Sequence, residues 1–126
     1  MVSVLPVFKG VIHAPLKKVN NAEAYYRILA ETSGELLDHY IRMFVLPPRG
    51  YIPLHKHRKA YHLQLVLDGV MHVVVGGEEY EVRGGDAIYV PSGVEHGYTN
   101  IGERKVVFIC LTPKIKDETM MLEQKG

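Results

Sequence analysis

The chain has 126 residues, fewer than the roughly 150 of an average domain, so one compact domain spanning residues 1–126 is expected rather than two independently cored ones. Fifteen Lys and Arg against fourteen Asp and Glu leave a formal charge of +1, without the basic stripe that tracks a phosphate backbone, which argues against nucleic acid as a partner. The longest apolar runs, such as Val106 to Leu111, fall far short of the ~18 residues that span a bilayer, so a membrane partner is not expected either.

In chain order, the N-terminal stretch Val2 to Phe8 has no basic region before it and is broken by Pro6, which reads as no secretory signal. The lone Cys110 cannot form an internal disulfide and fits a reducing cytoplasm. Beyond Pro15 to Glu23, which carries no clear pattern, Gly and Pro punctuate the chain at short intervals. The segments between them are β-branched or aromatic, the pattern of an all-β chain. Ala24 to Ala30 and Leu36 to Leu46 read as strands joined at Glu31-Thr32-Ser33-Gly34. Pro47-Pro48-Arg49-Gly50 reads as a turn, since two prolines cannot donate to a ladder and Gly50 permits a positive φ. Further strands follow over Tyr51 to His57, His62 to Leu67, Met71 to Val75, Tyr80 to Arg83, Ala87 to Val90 and Val106 to Leu111. Asp68-Gly69, Gly76-Gly77, Gly84-Gly85-Asp86 and Pro91-Ser92-Gly93 supply the turns. Short strands recurring about every ten residues predict a sandwich or small barrel. The charged tail Lys114 to Gly126, with Met120, Met121 and Leu122 inside it, reads either as a short docked helix or as disordered.

Seven histidines are present, and three of them fall within residues 55–62. His55 and His57, two apart in an extended segment, leave the same face with α-carbons about 6.6 Å apart. Their imidazoles can therefore converge on one ion. His62 opens the next strand and shares its face with Gln64 and Val66. His96 follows the turn at Pro91-Ser92-Gly93, which re-aims a side chain inward. Four imidazoles without a thiolate suit manganese, iron, cobalt, nickel, copper or zinc and poorly suit calcium or magnesium. For His13, His39 and His72 an ordinary core or surface role is the better reading.

This spacing resembles the cupin superfamily. His55-Lys-His57-(x4)-His62-(x6)-Gly69 resembles the first cupin motif, G(x)5HxH(x)3,4E(x)6G. Gly85-(x5)-Pro91-Ser-Gly93-(x2)-His96-(x3)-Asn100 matches the second, G(x)5PxG(x)2H(x)3N, at every fixed position. There are two departures. Gly50 precedes His55 by four intervening residues instead of five, and His62 stands where the motif has glutamate. The resemblance implies a cupin-type β-barrel, a double-stranded β-helix or jelly roll, with its motif-bearing core over about residues 24–113. It also implies one divalent transition metal, manganese or iron first, held by His55, His57, His62 and His96, as in small single-domain cupins with histidine at the glutamate position. Gln64, which shares the face of His62, is the rival fourth ligand.

The glycines 69, 85 and 93 and Asn100 are better read as turn residues than as catalytic ones. No paired carboxylates are evident, and the catalytic residues stay undefined. Parity offers pocket candidates: Tyr98 with His96, Gln64 with His62, and Tyr51 with His55 and His57. On the last strand either Phe108 and Cys110 or Val107 and Ile109 point inward. Cys110 reads as a buried small hydrophobe before a nucleophile. The resemblance makes dioxygenase-like oxidation of a small metal-chelating compound with anionic oxygens the first expectation. Lewis-acid isomerisation is close behind, and a non-catalytic metabolite- or sugar-binding barrel is the rival. A homodimer formed by sheet extension or face packing is expected, because exposed sheet edges are commonly covered.

Overall fold

The computed structural model describes residues 9–30, 39–113 and 119–121. Among them a single 3-10 turn at Val11–His13 precedes eleven strands: β1 (Lys17–Lys18), β2 (Tyr25–Ala30), β3 (His39–Leu46), β4 (Tyr51–His57), β5 (His62–Asp68), β6 (Val70–Val75), β7 (Glu78–Arg83), β8 (Ala87–Val90), β9 (His96–Asn100), β10 (Val106–Pro113) and β11 (Thr119–Met121). They form a six-stranded sheet, ordered β1-β2-β3-β10-β5-β8, and a five-stranded sheet, ordered β11-β4-β9-β6-β7. The two antiparallel sheets face each other as the expected jelly roll. No helix among the described residues is long and apolar enough to cross a membrane.

Alternation builds the layer between the sheets. On β5 His62, Gln64 and Val66 are buried while Leu63, Leu65 and Leu67 are exposed, and on β10 Val106, Phe108, Cys110 and Thr112 turn inward. Leu46, Met71, Val73 and Val90 close one part of the interior. Phe44 and Phe108 stack across neighbouring strands with ring centroids 5.0 Å apart and planes 9° from parallel. The other part of the interior is polar and carries the histidines.

Three sequence expectations need revision. The strand β9 was not among the predicted elements. Its sequence, His-Gly-Tyr-Thr-Asn, turns His96, Tyr98 and Asn100 inward, so the buried positions lack the apolar signature by which strands are recognised. In the tail, Thr119–Met121 is neither helix nor disorder but a strand on the edge of β4, opposite Lys56 and its neighbours. The third revision concerns the turn before β4. Arg49 takes the positive φ, +64°. Gly50 is required for close approach instead, since a Cβ there would lie 2.5 Å from the Glu23 carbonyl oxygen and 2.7 Å from that of Pro47.

The turn readings of Gly69, Gly85 and Gly93 agree with their positive φ values. Asn100 is structural as well: its buried amide donates to the carbonyls of Leu46, Pro47 and Arg104 and accepts from the Gly102 amide, which ties the turn between β3 and β4 to the loop between β9 and β10. Residues 1–8, the turn at Glu31-Thr32-Ser33-Gly34 with the start of the next predicted strand, and residues 114–118 and 122–126 lie outside the described residues.

A bulge in β4 sets the site. Ile52 pairs with Tyr98 and His55 with His96, so three steps along β4 match two along β9. One extra residue, at Pro53-Leu54, shifts the pleat by one position. Gly97 lies beneath it, where a Cβ would approach the Ile52 carbonyl oxygen to 3.1 Å and the Leu54 nitrogen to 3.2 Å. After the bulge, His55 and His57 face the interior together with Ile52.

Candidate metal centre

His55 and His57 come from β4, His96 from β9 and His62 from β5. The ligand atoms of His55, His57 and His96 all lie within 4.8 Å of one another. His62 stands beside this triad rather than within it, its ring centroid 4.4 Å from that of His57 and 5.8 Å from that of His96.

The tautomers follow from the backbone. His55 Nδ1 donates to the Pro53 carbonyl at 2.7 Å, and His96 Nδ1 donates to the Val94 carbonyl at 3.0 Å. Each such bond leaves Nε2 with a bare lone pair aimed at the cluster, the orientation a metal-bound imidazole needs. Burial favours the neutral rings. Desolvation, aided by Arg42, lowers the pKa of His55 even though its backbone bond opposes the shift. Desolvation and the other histidines bring His96 to about 3 and His62 to about 2. Neutral imidazole is the metal-binding form.

A polar chain runs behind His62. The Tyr98 hydroxyl donates to Gln64 Oε1 at 2.7 Å, which orients that amide. Gln64 Nε2 in turn points at Cys110 Sγ, 3.6 Å away, and His62 Nδ1 lies 3.2 Å from the same sulfur. Burial raises the pKa of both Tyr98 and Cys110, so phenol and thiol stay protonated at neutral pH. Cys110 is thus a buried hydrogen-bonding thiol and not an activated nucleophile. His62 Nε2 is buried and has no hydrogen-bond partner among the described residues. An unmet polar atom in that position costs about 1–3 kcal/mol, a penalty that a cation reached by Nε2 would offset. The donor set therefore fits a transition-metal ion, and the cluster can hold one.

The histidines lie in a cavity of about 340 Å³, lined also by Ile52, Phe44, Phe108, Tyr26, Arg42 and, at its mouth, Lys18, Asn20 and Asn21. Of the predicted pocket residues, Gln64, Tyr98, Phe108 and Cys110 line it. Tyr51 does not. It precedes the bulge, faces outward opposite Thr99 and is 43 % exposed, so the parity argument that grouped it with His55 fails at the extra residue. Ile52 takes the inward place.

Sequence reasoning missed Arg42. On β3 it shares a face with Phe44 and Leu46, but the other face of that strand, Ile41, Met43 and Val45, is also apolar, so alternation did not reveal which side was inside. The remaining histidines lie elsewhere: His72 contacts Glu79 at 3.3 Å, His39 bonds the Tyr61 hydroxyl at 2.8 Å, and His13 is exposed on the 3-10 turn.

A barrel of two antiparallel sheets with an inward histidine cluster on three strands, able to hold a metal ion, is a jelly roll of the cupin kind. Residues 42–112 match the Cupin_2 cupin-domain family, and the chain belongs to that family. It is 30 % identical over 81 residues to an uncharacterized protein of Methanocaldococcus jannaschii, covering 63 % of this chain and 65 % of that one. It is 39 % identical over 46 residues to quercetin 2,3-dioxygenase of Bacillus subtilis, covering 36 % of this chain and 14 % of the dioxygenase. The chain therefore spans less than two thirds of the length of either relative. Among solved structures, the polyketide cyclase RemF of Streptomyces resistomycificus superposes with a TM-score of 0.81 at 24 % identity, over 100 % of this chain and 89 % of that one, a likeness of fold.

Proposed function

We propose that the protein is a metal-dependent enzyme acting on a small, oxygen-rich organic anion, with dioxygenase-like oxidation as its reaction. The observation that carries this reading is the triad of neutral imidazoles within 4.8 Å at the wall of an aromatic cavity whose described lining holds no carboxylate. His55, His57 and His96 would hold a divalent ion, manganese or iron first, and His62 would add the fourth imidazole through its buried Nε2. When bound, the ion supplies Lewis acidity and open positions for substrate oxygens. Four neutral ligands leave its charge uncompensated, which favours anionic oxygen donors.

The chain's own residues do the rest. Ile52, Phe44 and Phe108 give a ring-bearing molecule a dry wall to lie against. The backbone carbonyls of Pro53 and Val94 hold two ligands in register. Tyr98 stays protonated and keeps the Gln64 amide turned toward Cys110. The short similarity to quercetin 2,3-dioxygenase supports the oxidative reading.

A second reading, Lewis-acid isomerisation, is favoured by histidine at position 62 in place of a carboxylate, because neutral ligands disfavour the higher oxidation state that oxidation passes through. A non-catalytic sensor of a metabolite is the remaining alternative. The lone, buried Cys110 suits a cytoplasmic setting.

The test is reconstitution of metal-free protein with manganese, iron, cobalt, nickel, copper and zinc in turn, followed by incubation with flavonols, catechols and 1,3-diketones. Oxygen uptake matched to substrate loss is the expected result. Turnover without oxygen uptake would shift the assignment to isomerisation, and tight binding without turnover to a sensor.

We further propose that two copies of the chain pack through the outer face of the larger sheet. That face presents Ile41, Met43 and Val45 from β3, Val107, Ile109 and Leu111 from β10, Leu63, Leu65 and Leu67 from β5, and Tyr89 from β8. The three β5 leucines and Tyr89 are each at least 43 % exposed. Four strands about 4.8 Å apart and some 20 Å long give roughly 400 Å² of flat area, which side-chain relief brings toward the ~800 Å² per partner of a stable interface. A face that is apolar at its centre, with Arg27 and Asp68 at its margins, matches a second copy of itself better than a charged partner.

A further inference from the structure

Arg42 is one of two charged side chains that line the cavity holding the histidines. It sits on β3 directly opposite Cys110 of β10, and its charge is felt at both His55 and His62. Its guanidinium carbon stands 5.0 Å from the centre of the Phe44 ring and 5.9 Å from that of Tyr26. Two aromatic rings this close restrict the guanidinium, so less side-chain entropy is lost when it binds. The other lining cation, Lys18, is 56 % exposed at the mouth and has Glu23 at 3.9 Å, a pair that solvent screens.

A guanidinium beside a metal-ligating cluster has a consequence for specificity. The planar fork of five N–H donors matches a carboxylate with two parallel bonds. The stacked Phe44 and Phe108 rings line the same cavity as the guanidinium and the histidines. With no carboxylate in the described lining to compete, an anion entering the cavity meets two points of attraction: the histidine cluster and the fork.

Resting on the metal-site reading above, we propose that Arg42 is a specificity-determining residue that grips the carboxylate of a flat hydroxy acid, one whose adjacent phenolic or enolic oxygen is presented to the histidines. The cavity then selects hydroxy-acid anions over diols of the same size. A purely structural Arg42, packed on two aromatic rings, makes no such distinction between ligands.

Zinc-loaded protein, which has no redox chemistry of its own, separates these roles. Calorimetric titration with 2-hydroxybenzoate and with catechol is compared between wild type and Arg42→Met, which keeps the aliphatic stem against Phe44 and Tyr26. The expected result is at least a tenfold weakening for 2-hydroxybenzoate and less than a twofold change for catechol, with zinc content and melting temperature preserved. Arg42→Lys, which keeps the charge but not the fork, should fall between the two, and it carries the test if the methionine variant does not fold. Equal weakening of both ligands, or no change in either, overturns the proposal. If zinc does not load, the metal reading fails alone, and benzoate binding to metal-free protein decides here: dependence on Arg42 supports the assignment, and independence overturns it.

Discussion

Histidine at position 62, where the cupin motif has glutamate, removes one negative charge from the immediate surroundings of a bound ion. His62→Glu should therefore retain about one metal per chain while weakening anionic oxygen ligands. One unit of charge at about 4 Å is worth on the order of 1 to 4 kcal/mol at dielectrics between water and a protein surface, roughly a fivefold or larger rise in dissociation constant. The same change should make a bound manganese or iron easier to oxidise, which voltammetry reads directly. Unaltered anion affinity together with an unaltered potential would place His62 outside the ligand set. The spacing of the four histidines was legible because motif and parity depend only on neighbours in sequence. The bond between His62 and Cys110 was not, since it joins residues 48 positions apart. Arg42 escaped for a related reason: its strand is apolar on both faces, so an inward-facing charge looked like an outward-facing one.

Among the elements, β4 carries the largest gap between sequence and structure. Its limits were legible, Tyr51–His57 in both descriptions, but a strict period of two hides a bulge. Nothing in Ile-Pro-Leu-His announces one, apart from a proline that cannot donate to the ladder. The bulge brings His55 opposite His96 and sends Tyr51 outward. Gly97 permits that crossing, and Gly97→Ala tests it. The new methyl would press on the backbone of Ile52 and Leu54 at 3.1 to 3.2 Å, an overpacking expected to destabilise the protein by about 1–3 kcal/mol in urea unfolding. Because the displaced segment bears His55, metal affinity should fall with stability. A variant as stable as wild type with unchanged zinc affinity would show that the crossing has room to spare. The strand β9 illustrates the converse problem, since its inward residues are polar for the sake of the site and so lack the pattern that marked the other strands.

For the molecule as a whole, buried neutral histidines make metal-free stability depend on pH. His55, His62 and His96 all have lowered pKa values in the folded state, whereas an unfolded histidine titrates near 6.5. Below about pH 6.5 the unfolded chain binds more protons, so stability should be full above that pH and decline as the pH falls toward 4. Thermal melts of metal-free protein at pH 7.5, 6 and 5 should show this decline. Bound zinc should raise the melting temperature by mass action at each pH where it stays bound. A melting temperature constant from pH 7.5 to 5 would contradict the burial of neutral imidazoles. The outer face of the larger sheet gives the last expectation. Leu65 lies at the middle of that face, flanked by Ile109 on β10 and Ala87 on β8, and is 45 % exposed. Leu65→Lys removes no packing from the core beneath, because the inward neighbours Gln64 and Val66 are untouched. In a dimer built on this face the lysine meets apolar surface and, through the twofold, a second lysine close by. Light scattering of the wild type at micromolar concentration should report twice the 14.2 kDa chain mass, and the variant should report the monomer with a near-wild-type circular dichroism spectrum. A wild-type monomer would refute the pairing, and a Leu65→Lys dimer would move it to another surface.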